Sequence, residues 1–191
     1  MELAHVVRKR KSVRSFKNKK PSWKDILEAI DLTLQGPFAG NHNHLRFLIV
    51  ENMGLIKEIA KLCEQNWIKE AKMLIVVCSD DTHLEKVYGE RGLVYSRQQA
   101  GAAIQTLLLG LTSLGIDSCW VGAYSDELIK EKMNVPQHVK IEAIVPVGFE
   151  QGREKKAEKK PLERSLYWEK WGQDRKKGLF EEEGEDYRPG R

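Results

Sequence analysis

Nineteen consecutive residues, Gln98 to Ile116, carry no formal charge in a 191-residue chain that is 31% charged. Such a stretch has to be shielded from water, which demands a sheet or other helices around it. Three glutamines, Thr106, Thr112, Ser113 and three glycines make it too polar for lipid, so it reads as a buried helix from about Ser96 to Leu114, ended by Gly115. A hydrophobic content of 41% suffices for one substantial core, and six prolines and fifteen glycines are too few for a low-complexity chain. The start MELAHVVRKRKSVRSF lacks the apolar run of a signal peptide, and no segment reads as a membrane anchor. Cys63, Cys78 and Cys119 are odd in number and form no CxxC pair, which fits reduced thiols in a cytoplasmic protein better than a disulfide framework or a zinc site.

Around this helix the chain alternates. Ser22, followed three residues later by Asp25, is an N-cap signal for an amphipathic helix through Ile26, Leu27, Ile30 and Leu34, stopping near Gly36-Pro37. Arg46 to Glu51 reads as a strand, Leu55 to Cys63 as a helix and Met73 to Ser79 as a buried strand. Asp80 to Tyr95 shows no clear period. Ser118 to Tyr124 reads as a short strand, Ser125 as the cap of a helix with Asp126 and Glu127 in its first turn, and Ile141 to Phe149 as the last strand. Four strands separated by helices predict one layered domain, a sheet with helices packed on it. Beyond Gly148 the pattern changes: a charged run leads into Leu162, Leu166, Trp168 and Trp171, apolar groups that fold back on the domain or lie across a partner subunit. Gln173 to Arg191 is expected to be a mobile charged tail.

The net charge of +4 is less informative than its placement. Met1 to Lys24 holds nine basic residues against one acidic, Gln151 to Lys160 holds five against two, and the remainder sums to −7. Two basic segments on an acidic body suggest local anion sites or a solvated charged surface, and the acidic remainder argues against a nucleic-acid-binding face. In Arg10-Lys11-Ser12-Val13-Arg14-Ser15-Phe16 an extended backbone aims Arg10, Ser12 and Arg14 to one side, where two guanidinium groups around a hydroxyl suit a phosphate or carboxylate. Asn41 and Asn43 sit in an amide-rich loop, suited to the edge of a heterocycle or to capping their own backbone. His42 and His44 lack a third ligand cluster, so no metal site is expected. Trp120 precedes Val121, Gly122 and Ala123 at a strand end, where small residues let a flat ligand approach the main chain or simply close a buried strand. No Gly-rich phosphate loop, GxSxG elbow or HExxH is present.

In this order the pieces resemble the nitroreductase family of flavin-dependent oxidoreductases, from about Val7 to Gly172. RKSVRSF is similar to the family's opening motif, PFAGNHNHLRFLIV to its second segment, QQAGAAIQTLLLGLTSLGIDSCWVGAY to its central helix and following strand, and KKPLERSLYWEKWG to its C-terminal signature. The resemblance implies an α+β fold, a central mostly antiparallel sheet flanked by helices, with residues 1–172 as one domain whose arm, 151–172, extends to the partner subunit. It implies a homodimer binding FMN at the interface, and no membrane or nucleic-acid partner. Arg10, Lys11, Ser12 and Arg14 would hold the ribityl phosphate and pyrimidine side, joined at the phosphate by Lys159 or Lys160; Asn41, with Asn43, would reach flavin from the other subunit; Trp120, Val121, Gly122 and Ala123 would lie against the ring.

The implied activity is ping-pong hydride transfer from NADH or NADPH to flavin N5 and on to a nitroaromatic, quinone or flavin acceptor, with the chemistry on the cofactor and no catalytic side chain required. Dehalogenation or dehydrogenation on the same fold, and non-enzymatic FMN binding, are the alternatives. The chain departs from the family pattern at Phe38, where a small hydroxyl residue is usual, and at His42-Asn43-His44-Leu45, which replace x-Gln-Pro-Trp. Asp80 to Tyr95 is too brief for the long excursion of larger members, which predicts a more open active site.

Overall fold

The strand Met73–Asp80 (β2) is buried on both faces, and the rest of the molecule is arranged to achieve that. Met73, Ile75 and Val77 point into one core with Ile104, Leu107 and Leu111, while Leu74, Val76 and Cys78 point into a second with Ile56, Ile59 and Ile129. This period-two alternation puts a helical layer on each side of the sheet. The computed structural model describes residues 2–152 and 155–174, in two compact units, 1–156 and 157–191.

In the first unit the elements run Leu3–Lys9 (α1), Trp23–Thr33 (α2), Leu45–Val50 (β1), Met53–Leu62 (α3), β2, Thr82–Tyr88 (α4), Glu90–Ser113 (α5), Asp117–Ser118 (β3), Asp126–Met133 (α6) and Val139–Gly148 (β4). The four strands form one antiparallel sheet in the order β1-β2-β4-β3. Helices α2 and α5 supply one core; α3 and α6 supply the other. The fold is thus the α+β arrangement expected. Cys63, Cys78 and Cys119 are buried and form no disulfide among the described residues, and burial pushes the Cys63 and Cys78 thiols up to about 11. No helix among the described residues is long and apolar enough to cross a membrane.

Several boundaries differ from the sequence expectation. The segment without a clear period contains α4, which buries only Leu84 and so leaves too faint an apolar pattern, and α5 begins at Glu90. Between them Gly89 adopts φ 57 and ψ −143, a backbone reserved for glycine that reverses the chain in one residue. The strand expected over Ser118 to Tyr124 shrinks to Asp117–Ser118 and one bridge from Val121 to Ile144. Ser22 caps α2 by accepting from the Lys24 N–H at 3.2 Å, whereas Ser125 precedes α6 without a side-chain cap bond. Helix α1, which buries only Val6, carries no sequence signal. The uncharged stretch of α5 is buried on one side alone, leaving Gln98, Ala102 and Gln105 exposed.

The second unit, described by itself, has among its described residues a short 3-10 turn at Leu162–Ser165, and the Tyr167 and Trp171 ring centroids are 4.8 Å apart. Of the tail expected to be mobile, residues 175–191 lie outside the described residues.

Candidate functional site

Residues 10–16 form an extended edge laced to the sheet from both sides. Ser12 bridges Ser118 in parallel, the Val13 N–H donates to the Ser118 carbonyl at 3.0 Å, and Phe16 bridges Glu150. Val13 and Phe16 are buried in the same core, which anchors the segment. Arg14, of opposite parity to Val13, is exposed, and neither its guanidinium nor that of Arg10 has a partner among the described residues. Lys11, on the Val13 side, pairs with Glu150 at 2.6 Å, and the Glu150 N–H donates to Asp117 at 2.8 Å. This pairing ties the segment to the ends of β3 and β4.

The turn after β3 is held just as firmly. Val121 exchanges backbone hydrogen bonds with Ile144 at 2.9 and 3.1 Å, and the Tyr124 hydroxyl donates to the Ile141 carbonyl at 2.8 Å. Burial, with Asp126 and Glu142 nearby, raises the Tyr124 pKa and keeps this donor protonated. Between these anchors Trp120 is 40% exposed, and Gly122 and Ala123 are exposed residues whose N–H groups donate to no described residue. A Cβ at Gly122 would meet nothing nearer than the Trp120 indole nitrogen at 4.0 Å. Unpaired amides beside an exposed indole, with two unpaired guanidinium groups on the adjoining segment, fit a flat heterocycle that carries a phosphate.

The loop bearing the two asparagines lies elsewhere. It leads into β1, and β1 and β3 are opposite edges of the sheet. Three strand spacings, roughly 14 Å across the sheet, and a further offset along the strands therefore separate this loop from Trp120 within one chain. Asn41 is exposed with φ 55, while Asn43 accepts from the Leu45 N–H at 3.0 Å and so braces its own backbone. The structure thus brings Arg10, Lys11, Ser12, Arg14 and Trp120 to Ala123 together, and sets Asn41 and Asn43 apart. Lys159 and Lys160 belong to the second unit.

Sequence reasoning missed the residues that position this loop. Gln99 of α5 accepts from the Ala39 N–H at 2.9 Å, and the Tyr88 hydroxyl would lie 2.9 Å from a Cβ at Gly40, whose φ of 58 also favours glycine. His83 of α4 stacks on His42, ring centroids 4.0 Å apart. Buried beneath them, His44 donates its Nε2–H to the Ser96 carbonyl at 3.3 Å, since a carbonyl can only accept. Its Nδ1 is therefore the unprotonated nitrogen, and it has no partner among the described residues. Burial, the largest influence, lowers the His44 pKa from 6.5. The unfolded chain then binds the extra proton, so His44 contributes stability that is complete above about pH 6.5 and falls as the pH drops below it. Thermal melts between pH 8 and 5 are expected to show a steeper acid loss in the wild type than in His44→Gln.

Beside His44, Arg97 bonds both Asp81 and Glu142, whose side chains are only 10% exposed. Ser96 donates to Asp81 and Ser79 to Glu142, each at 2.5 Å. This network fixes the junction of β2, α4 and α5. Removing its cation leaves two sequestered carboxylates unneutralised. With Arg97 itself 42% exposed, Arg97→Met is expected to destabilise by about 2 kcal/mol, below the range for a wholly buried pair, with Arg97→Lys intermediate in urea melts.

Comparison with known proteins places these features in company. A model of the nitroreductase family matches residues 7–81 and 56–149. An iodotyrosine deiodinase of Thermotoga neapolitana is 28% identical over 163 residues, covering 77% of this chain and 88% of its own. A protein of Methanothermobacter thermautotrophicus with the provisional name NADH dehydrogenase/NAD(P)H nitroreductase is 27% identical over 154 residues, 78% of each chain. The solved structure of an oxidized iodotyrosine deiodinase bound to FMN and 3-iodo-L-tyrosine superposes with a TM-score of 0.73 at 25% identity, over 84% of this chain and 96% of that one.

Proposed function

The chain belongs to the nitroreductase family, and from that premise we propose that it is an FMN-dependent NAD(P)H oxidoreductase acting as a homodimer in the cytoplasm. The observation that carries the reading is the pair of unpaired amides at Gly122 and Ala123 beside exposed Trp120, adjoining the unpaired guanidinium groups of Arg10 and Arg14. FMN held there supplies hydride acceptance from a reduced nicotinamide and its delivery to an organic acceptor.

The chain's own part is binding and electrostatics. Arg10, Ser12 and Arg14 take the phosphate and pyrimidine side, with Lys11 steadying the segment through Glu150 and Lys159 or Lys160 joining at the phosphate. The amides of Gly122 and Ala123 donate toward the ring edge where negative charge grows on reduction, which favours the reduced state. Val121, buried, holds that turn against Ile144, and Trp120 lies against the ring.

The topology supports the dimeric reading. Asn41 and Asn43 lie at the sheet edge opposite Trp120, so if they reach flavin it is in the partner's site, each subunit supplying its pair to the other. The exposed uncharged face of α5, with Gln98, Ala102 and Gln105, suits such an interface. Residues 1–172 are proposed as one domain whose arm reaches across the dimer. With α4 only seven residues long, the acceptor pocket is proposed to be open.

The test is direct. Purified protein is expected to be yellow, dimeric by light scattering, and bleached in stopped flow by NADH, NADPH or both; colourless protein that fails to take up added FMN sinks the proposal. Similarity to an iodotyrosine deiodinase supports a second reading, reductive dehalogenation at the same flavin. An acceptor panel of nitroaromatics, quinones and halogenated phenols separates the two.

A further inference from the structure

On the outer side of the His42 loop lies a cavity of about 290 Å³ lined by His42, His44, Arg46, Asp80, Thr82, His83 and Lys86. It is built by three separate elements, the loop entering β1, the end of β2 and the first turns of α4, and it takes no part in the flavin contacts proposed above. Its fixed charges are two cations against one anion. Lys86 is exposed and has no ion-pair or hydrogen-bond partner among the described residues. Arg46 uses Nη1 on the Leu45 carbonyl at 2.7 Å and keeps its other donors. Asp80 is already engaged, accepting from the Thr82 N–H at 3.1 Å with the His138 imidazole 3.8 Å away, which leaves it fewer open acceptor positions toward the cavity. The stacked imidazoles of His42 and His83 add ring N–H donors at the wall, and a guanidinium, an ammonium and imidazoles converging on one cavity are the donor set of a phosphate site.

We propose that this cavity is a phosphate-binding subsite, filled by a phosphate dianion that is either free or the 2′-phosphate of a nicotinamide dinucleotide. The second source rests on the oxidoreductase reading; the first does not. The loop that forms the wall also carries Asn41 and Asn43, so the subsite sits one residue from the groups proposed to reach flavin in the partner.

The experiment uses FMN-loaded protein, in which the Arg10 to Arg14 segment is occupied by the cofactor's own phosphate. Inorganic phosphate is titrated at constant ionic strength while the His42 and His83 ring resonances are followed by NMR. Saturating shifts in the millimolar range are expected, with affinity falling about tenfold or more in Arg46→Gln/Lys86→Gln and held in Arg46→Lys/Lys86→Arg. All four substitutions fall on exposed side chains, and an unchanged melt certifies the fold. If the Gln variant also raises KM for NADPH while KM for NADH stays put, the source is the dinucleotide; if neither KM moves, it is free phosphate. Absence of shifts at about 20 mM phosphate, equal affinity in the Gln variant, or a joint rise of both KM values overturns the subsite. Protein that takes no FMN defeats the oxidoreductase reading instead, and the His42 and His83 resonances still report on phosphate.

Discussion

Replacing Arg10 and Arg14 together with alanine is expected to leave a folded protein that loses FMN on purification. Each guanidinium offers charge-assisted hydrogen bonds worth about 1.5 to 3 kcal/mol to a phosphate, so each single substitution weakens FMN by roughly 10- to 150-fold and the pair by considerably more. The fold is expected to survive because neither side chain has a partner among the described residues, and the segment is anchored instead by Val13, Phe16 and the pairing of Lys11 with Glu150. Quenching of FMN fluorescence on binding measures the constants. Unchanged affinity in both single variants would mean that the phosphate is held elsewhere on the chain.

The largest effect on stability is expected from Gly92→Ala. A Cβ at this position would stand 2.1 Å from the Leu84 carbonyl oxygen, 2.4 Å from its carbon and 2.9 Å from the Glu85 nitrogen. All three are backbone atoms of α4, so no rotamer change relieves the overlap and the two helices have to part. A loss of about 3 kcal/mol or more is expected in denaturant melts, at the upper end for overpacking. Parting α4 from α5 also frees what α4 holds, the stack of His83 on His42 and the contact of Tyr88 with Gly40. Amide exchange is therefore expected to rise across residues 39–44 as well as in α4. A stability within 1 kcal/mol of wild type, on the ordinary scale of a tolerated exchange, would show that the helices are not this closely packed.

What the sequence made legible were elements with long periodic signals or local caps. Ser22 and the stripe through Ile26 and Ile30 marked α2, and the β-branched run Met73 to Ser79 marked β2, because each pattern is written in consecutive residues. Helices α1 and α4 were not legible, since each buries one residue, Val6 and Leu84, and one apolar group makes no period. At the candidate site the exposure of Arg14 opposite buried Val13 was legible from alternation alone. The roles of Gln99, Arg97 and His83 were not: Gln99 reaches a backbone donor sixty positions away, and Arg97 joins carboxylates from two strand neighbours. Such partners are chosen by the folded sheet. No local window contains both.

The lacing of residues 10–16 has a consequence for the order in which the protein matures. Apart from the Phe16 N–H bond to Glu70, its links to the body run to Ser118, Glu150 and Gln151, more than a hundred positions downstream, so the segment is among the last to find its place. Arg10 and Arg14 have no finished sheet edge to lie along until β4 has been made and paired. The anion-holding edge is then a product of completed folding, and a chain truncated before β4 has no such edge. Any ligand held by Arg10 and Arg14 consequently acts as a sensor of a finished sheet: it stabilises only molecules in which residues 10–16 have already met β3 and the end of β4.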